Sequence, residues 1–130
     1  MRELKVFGDG AVFDHAGVAV RSIRASAKSD PGIIRDEAQK VSVAFVDIGG
    51  IKLELIEPAG EDSPVASSLE KGQRLVHLCF RVPDMDAAIK KGRENGFHCI
   101  AKPVPARAFG GRKIAWLFSK TYGLTELLEE

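Results

Sequence analysis

The stretch KLELIEP, Lys52–Pro58, has the leucine and isoleucine pattern of a buried strand, yet it carries Glu54 in its middle. A buried carboxylate is costly unless a partner compensates it. The same arrangement returns at the end of the chain in LTELLEE, Leu124–Glu130, with Glu126 in the matching place. The tetrads ELIE and ELLE therefore raise the same question: what stabilises Glu54 and Glu126 inside apolar strands?

Composition indicates one ordinary globular domain over residues 1–130. The hydrophobic content is 45%, the charged content is 28%, and the net charge is +1. Such a balance gives no general argument for binding nucleic acid or an anionic membrane. The chain shows neither a signal-peptide pattern at its start nor an apolar run long enough to span a bilayer, so we expect a cytoplasmic protein. Cys79 and Cys99 are expected to be buried thiols.

The chain reads as two similar halves, module 1 at about residues 11–60 and module 2 at about residues 74–130. In the first half a strand over 13–20 precedes a short helix over 22–28. Two strands joined at Gly49-Gly50 follow, and Ser63 then caps a short helix with Pro64 in its first turn. The repeated order indicates one supersecondary unit used twice.

The second half begins with the strand RLVHLCFRV and continues into the clearest helix of the chain. Asp84 is placed to cap this helix and Gly96 to end it. The prolines of HCIAKPVPA favour an edge segment, and RKIAWLFSK predicts a strand before the closing ELLE strand.

Two histidines stand at matched places in the opening strands, His15 in the first half and His77 in the second. Because strand side chains alternate, His15 shares a face with Gly17, and Glu54 and Glu126 point away from their nearest leucines. If these faces converge, two imidazoles and two carboxylates form a site for one divalent metal such as Zn, Co, Ni, Mn or Fe(II).

Each residue also has an ordinary interpretation. A single strand histidine is more often structural than a ligand, and a strand glutamate often faces solvent. The coincidence of four matched positions favours the metal site. Glu57 and Glu129 lack this support and are interpreted as charges at strand ends.

The stretches DHAGVAV, KLELIEPAGEDSP, VHLCFRVPDMDAAIKKGRENGF and GLTELLE together resemble the vicinal oxygen chelate superfamily, or glyoxalase fold. Within it, KLELIEPAGEDSP is similar to the ELLxPxGxxSP segment of the methylmalonyl-CoA epimerase family. The resemblance covers the chain from Phe13 onward. It implies an α+β fold of two tandem βαβββ modules, forming a cupped and incompletely closed mixed sheet around a metal site.

The resemblance also implies a ligand set, namely His15, Glu54, His77 and Glu126, holding one Co, Ni, Mn or Zn ion. It implies epimerisation through removal of the proton α to a thioester carbonyl, with a metal-stabilised enolate. Glu126 resembles one family base. The nearest candidate for the second base is Glu37, one position out of register, with Asp36 as its rival; both also fit a solvated loop.

Substrate recognition rests on weaker signals. Arg107, Arg112 and Lys113 are candidates for binding the phosphates of a CoA-like carrier, and an ordinary solvated loop explains them equally well. The family's AHG appears here as AFGG, Ala108–Gly111, and Arg81 replaces a commonly acidic residue. These departures leave the acyl group open.

Other activities of the superfamily remain alternatives. A glyoxalase I (lactoylglutathione lyase) type isomerase uses the same four ligands. An extradiol dioxygenase uses two histidines and one glutamate, so Glu54 argues against it. A non-catalytic small-molecule-binding member usually lacks the ligands. A homodimer is the family habit, and the expected partner is a small-molecule acyl thioester.

Overall fold

A computed structural model describes residues 1–130. Its three helices are α1 (Ile23–Ala27), α2 (Pro64–Glu70) and α3 (Met85–Glu94). Its nine strands are β1 (Val12–Ala19), β2 (Ile34–Asp36), β3 (Val41–Ile48), β4 (Ile51–Pro58), β5 (Leu75–Val82), β6 (His98–Cys99), β7 (Val104–Pro105), β8 (Lys113–Ser119) and β9 (Gly123–Glu129). A 3₁₀ turn, Arg107–Phe109, lies between β7 and β8 in the chain. Parallel and antiparallel pairs both occur, so the predicted α+β class with a mixed sheet is confirmed.

The chain divides into two compact units. The central unit comprises residues 15–77 and 107–110, and the terminal unit comprises residues 1–14, 78–106 and 111–130. Strands β1 and β5 each contribute one part to either unit. The single domain and its module boundaries stay predictions.

In the central unit the strands run in the order β2-β3-β4-β1. β3 and β4 pair antiparallel from Val41 opposite Pro58 to Ile48 opposite Ile51, and β1 lies parallel to β4. The predicted hairpin turn is confirmed, with φ of 61° at Gly49 and 88° at Gly50. Strand β2 was not predicted, because three residues are too short for a hydrophobic period; it completes βαβββ order in this half.

The core of the central unit lies where the helices cover this sheet. Ile23 of α1 is fully buried, and Val65 and Leu69 of α2 are buried. Ser63 accepts a hydrogen bond from Val65 N at 3.4 Å, as its predicted capping role requires. One cluster of buried side chains consists of Ala19, Val41, Val43, Ile56, Val65 and Leu69. The middle of β4, Glu54 to Ile56, is buried on both faces.

In the terminal unit the strands run in the order β5-β9-β8-β6, with β7 also paired to β8. β5 and β9 are parallel, from Leu78 opposite Thr125 to Val82 opposite Glu129. Asp84 accepts a hydrogen bond from Ala87 N at 3.0 Å and Gly96 follows the end of α3, so both predicted helix signals are confirmed. The core consists of Phe7, Val82, Met85, Ala88, Phe97, Ala115, Leu117 and Leu127.

The second glutamate of each ELxE tetrad holds the start of a helix. Glu57 Oε1 accepts a hydrogen bond from Ile23 N at 2.9 Å, and Glu129 Oε2 accepts one from Met85 N at 3.0 Å. Ile23 and Met85 are the first residues of α1 and α3. Both glutamates lie at strand ends, as predicted, and each has a further role that was not predicted: it satisfies a backbone N–H that the helix itself leaves open.

Arg81 of β5 has a charged partner on β1. Arg81 forms an ion pair with the largely buried carboxylate of Asp14, with Nη1 and Oδ1 2.9 Å apart. Arg81, which replaces a commonly acidic residue of the family, thus has a partner on β1.

No helix of the chain is both long and apolar enough to cross a bilayer.

We expect Glu57→Ala and Glu129→Ala each to lower the free energy of unfolding by about 1–2 kcal/mol, because each removes a charged acceptor from a helix N-terminus. Glu57→Gln and Glu129→Gln keep an oxygen acceptor and should lose less. Urea denaturation measures the change. Glu70→Ala, on the exposed surface of α2, is the control and should change stability by no more than about 0.5 kcal/mol. Equal effects in all three alanine variants would contradict the capping role.

Candidate metal centre

Gly17 forms the floor of a cluster of ionisable side chains in the central unit. It lies beside Glu54 in the parallel β1–β4 register, and His15 precedes it by two residues on the same face. A Cβ placed on Gly17 would lie 2.2 Å from Cε1 of His77. The imidazole of His77 therefore packs directly over the β1 backbone, in the space that only glycine leaves.

Three donor atoms converge above this floor. His15 Nε2 lies 3.5 Å from Glu54 Oε1, and His77 Nε2 lies 3.4 Å from the same oxygen. The three residues are almost completely buried, with 0%, 5% and 4% exposed for His15, Glu54 and His77. The structure thus brings together three of the four ligands predicted from the sequence.

The donor set fits a divalent ion. Bonds of about 2.0–2.2 Å from nitrogen and oxygen to one ion place neighbouring donors about 3.0–3.5 Å apart. The two separations from Glu54 Oε1 lie at the upper end of this range. Imidazole nitrogen and carboxylate oxygen are ligands of borderline and hard cations. The cluster is therefore able to bind a metal.

The charge state of Glu54 suits this role. Burial raises the pKa of Glu54, but hydrogen bonding and charge from His15 and His77 outweigh burial and bring the pKa to about 2. The carboxyl group is then anionic at neutral pH. This answers the opening question for β4, since Glu54 is buried against two imidazoles that stabilise its charge.

Two phenylalanines enclose His15. The His15 ring lies edge-on to Phe45 at 5.5 Å and stacks on Phe109 at 5.6 Å between centroids. Phe45 lies opposite Glu54 in the β3–β4 pair. Phe109 comes from the 3₁₀ turn of the second half and is 8% exposed. His15, a candidate ligand, thus lies in apolar surroundings, which strengthen electrostatic interactions.

Sequence reasoning did not identify Gly17, Phe45 or Phe109 as parts of the site. A glycine inside a strand signals close approach by another group, so Gly17 could have been found. Phe45 and Phe109 carried no signal, because an aromatic residue in a strand or loop is ordinary.

Glu126 lies in β9 of the terminal unit. It pairs in register with Cys79 of β5 and with Trp116 of β8. Only 2% of it is exposed. The second tetrad therefore also buries its first glutamate, as the repeat predicts, and the part of Glu126 as a fourth ligand stays a prediction.

The two candidates for a second base differ in setting. Glu37 is exposed and pairs with Arg35, with Oε1 and Nε 2.8 Å apart. Asp36 is 6% exposed, and its Oδ1 accepts a hydrogen bond from Gln39 N at 3.0 Å. Asp36 thus closes the turn after β2, whereas the Glu37 carboxylate is open to solvent.

The candidate phosphate-binding residues are exposed at the surface. Arg107 begins the 3₁₀ turn in the central unit, while in the terminal unit Lys113 is the first residue of β8 and Arg112 precedes it. Exposure fits contact with a charged ligand and fits a solvated surface equally.

Known proteins share this architecture. The pattern of the Glyoxalase/Bleomycin resistance protein/Dioxygenase superfamily matches residues 14–116. The chain belongs to this superfamily. The match begins within β1, includes His15, Gly17 and His77, and ends in β8. The predicted glyoxalase-fold membership is confirmed.

Individual relatives include epimerases. The chain is 36% identical to the uncharacterized protein YqjC of Bacillus subtilis, covering 89% of this chain and 90% of that protein. It is 29% identical to the ethylmalonyl-CoA/methylmalonyl-CoA epimerase of Cereibacter sphaeroides, covering 84% and 89%. The Streptomyces coelicolor methylmalonyl-CoA epimerase in complex with 2-nitronate-propionyl-CoA superposes with a TM-score of 0.76 at 29% identity, covering 92% and 94%. The chain is thus similar to epimerases along most of its length.

We expect Gly17→Ala to destabilise the protein by about 1–3 kcal/mol, because its methyl group would overlap the His77 ring. The double variant Gly17→Ala/His77→Ala removes the overlapping ring and should recover most of this loss relative to His77→Ala alone. Chemical denaturation of the four proteins forms a double-mutant cycle. Additive effects would show that Gly17 does not accommodate His77.

Proposed function

We propose that this protein is a metal-dependent epimerase that removes and returns the proton α to the carbonyl of an acyl-CoA thioester, as in methylmalonyl-CoA epimerisation. The observation that carries the proposal is the buried set of His15, Glu54 and His77 with donor separations of 3.4 and 3.5 Å. The similarity to epimerases, one of them crystallised with an acyl-CoA analogue, supports the choice of substrate class.

His15, Glu54 and His77 would hold one Co, Ni, Mn or Zn ion, and the sequence repeat assigns Glu126 as the fourth ligand. Such an ion supplies a Lewis acid for the negative charge that develops on the thioester oxygen as the α-proton leaves. Glu54 contributes an anionic oxygen at neutral pH, since its pKa lies at about 2. Phe45 and Phe109 exclude water from one side of His15.

Epimerisation needs a proton acceptor on one face of the α-carbon and a proton donor on the other. Glu126 is proposed for one face, on the basis of the family resemblance and its burial in β9. Glu37 is proposed for the other face. Its carboxylate would have to leave Arg35 and turn inward, because it points to solvent here. Asp36 is the weaker choice, since its oxygen already closes a turn.

The carrier end of the substrate would contact the surface. Arg107, Arg112 and Lys113 are proposed to bind its phosphates, where charge-assisted hydrogen bonds are strongest. We also propose that the protein is cytoplasmic and forms a homodimer.

Metal content tests the ligand assignment. We expect about one divalent ion per chain after loading the purified protein with Co or Ni. The His15→Ala and His77→Ala variants should bind much less, because each loses a nitrogen donor. The exposed His98→Ala variant is the matched control and should bind as wild type does. Elemental analysis after dialysis measures the ratio, and equal metal in all four proteins would refute the site.

Proton exchange in D2O tests the reaction. With methylmalonyl-CoA, Glu126→Gln should bind metal yet exchange the α-proton about 10²–10⁴-fold more slowly, which is the usual contribution of a positioned base. Glu54→Gln keeps an oxygen donor and should retain more activity. Glu37→Gln should exchange the proton of one enantiomer but fail to interconvert the two. Mass spectrometry and chiral analysis give the rates.

A panel with the hemithioacetal of glutathione separates this proposal from a glyoxalase I activity. Deuterium incorporation into methylmalonyl-CoA alone supports the epimerase. Deuterium incorporation only into the product formed from the hemithioacetal contradicts it. Equal and mild losses in the three glutamine variants would contradict a two-base mechanism.

A further inference from the structure

The only asparagine of the chain precedes a glycine at the end of α3. Asn95 follows the last residue of the helix, and Gly96 has a φ of 86°, a conformation that favours glycine because a side chain is strained there. In an Asn-Gly pair, the glycine nitrogen can attack the side-chain carbonyl carbon of the asparagine with no side chain of its own in the way. The helix end therefore requires a glycine at the position that makes Asn95 chemically labile.

The side-chain amide of Asn95 joins two backbone carbonyl groups. Its Nδ2 donates a hydrogen bond to Lys91 O at 2.9 Å and another to Val6 O at 3.3 Å. Lys91 O belongs to the last turn of α3, where carbonyls lack helical partners, whereas Val6 lies 89 residues away in the chain. Because both acceptors are carbonyl oxygens, this position needs a side chain that donates.

Residues 1–7, here named the N-terminal arm, are attached to α3 next to this amide. The ring centroid of Phe7 lies 4.7 Å from that of Phe97 and 5.5 Å from that of Phe80. A Cβ placed on Gly92 of α3 would lie 3.0 Å from Cε1 of Phe7. Residues 1–5 are exposed. The Phe7 ring and the neighbouring Val6 carbonyl therefore both contribute to holding the arm against the helix.

The close approach of Phe7 weakens the last turn of α3. Glycine is less favourable than alanine inside a helix, yet the Phe7 ring leaves little room for a side chain at Gly92. The turn is closed by hydrogen bonds from Asn95 N to Gly92 O at 2.9 Å and from Gly96 N to Arg93 O at 3.2 Å. In this closed state the Gly96 nitrogen is engaged and the Asn95 amide is held by its two carbonyls. Local opening of the turn frees both reacting groups.

Deamidation at this pair needs no reagent except water. The Gly96 nitrogen forms a bond to Cγ of Asn95, the bond from Cγ to Nδ2 breaks, and ammonia leaves with the proton of the Gly96 nitrogen. Water then opens the five-membered imide at either carbonyl, which yields aspartate or isoaspartate. Neither product has a donor in place of Nδ2 at neutral pH. The two hydrogen bonds to Lys91 O and Val6 O are then lost, and a carboxylate oxygen facing these carbonyls is repelled by them.

We propose that Asn95 is a site of spontaneous deamidation, and that its conversion releases the N-terminal arm from α3. Asn95 is exposed, so water reaches the imide and ammonia escapes. The reaction is one-way: the arm is held in newly made protein and detached in deamidated protein. The arm also lines a cavity of about 510 Å³ together with Lys91 and Tyr122, so its release removes one wall of that cavity. The inference concerns the terminal unit and does not depend on the proposed epimerase activity.

Ageing of the purified full-length protein in water enriched in oxygen-18, at mildly alkaline pH, tests the reaction. Peptide mass spectrometry should find a heavy oxygen at residue 95, gained at least about tenfold more slowly than in urea-unfolded protein, because the folded helix end must first open. Phe7→Ala, which loosens the arm, should react faster than wild type. Asn95→Gln is the matched control, because it keeps an amide but would need a six-membered ring, which forms more slowly.

The chemical step fails if folded wild type gains no heavy oxygen at residue 95 during the time in which the unfolded chain is fully converted. Equal rates in the folded and unfolded protein would also overturn the inference, because the hydrogen bonds around Asn95 and Gly96 would then have no influence on the reaction.

Trypsin cleavage after Lys5 measures release of the arm, because the protease requires a detached, extended segment. The deamidated fraction of aged wild type, separated by ion exchange, should be cleaved at least about tenfold faster than fresh protein, as expected for the loss of two hydrogen bonds. Asn95→Asp should behave like this fraction, whereas Asn95→Gln should stay close to fresh wild type. A deamidated fraction that is cleaved no faster than fresh protein overturns the inference, and this comparison holds even if Asn95→Asp does not fold.

Discussion

Side chains three positions apart in a β-strand project from opposite faces of the sheet, and the ELxE tetrads depend on this constraint. In β4, Glu54 faces the two histidines while Glu57 faces the start of α1. In β9, Glu126 is buried and Glu129 holds the start of α3. One short stretch of sequence thus fixes a helix on one side of its strand and supplies an ionisable group on the other. A shift by one residue would exchange the two faces and lose both functions.

The burial of Glu54 becomes favourable only through its neighbours. A carboxylate with 5% exposure would be strongly destabilised alone, yet two imidazoles within 3.5 Å keep it charged. Gly17 makes this possible, because its missing side chain lets His77 cross β1 to reach Glu54. The three donor atoms are therefore positioned by folding, so an ion bound there would not bear the full entropic cost of arranging them.

Local sequence signals predicted local structure well. The glycine pair at 49–50, the caps Ser63 and Asp84 and the stop at Gly96 each act within a few residues of themselves, and the structure has all of them. Strand β2 was not predicted from the sequence, because its three residues owe their conformation to pairing with β3. The helix contacts of the second tetrad glutamates, which span 34 and 44 residues, carry no local pattern at all.

The same division applies to the site. The repeat of histidine and glutamate allowed the candidate donors to be predicted from the sequence, because such side chains are unusual inside apolar strands. Phe109 had no such signal: it reaches His15 only through a loop that the second half contributes to the central unit. Donors determine which ion and which proton chemistry a site can support, whereas the apolar residues around them determine which molecule fits. A protein can therefore keep its donor residues and vary the apolar residues around them. Under the proposed function, the loop over residues 106–111, which brings Phe109 against His15, is a place where substrate preference can change while the candidate ligands stay the same.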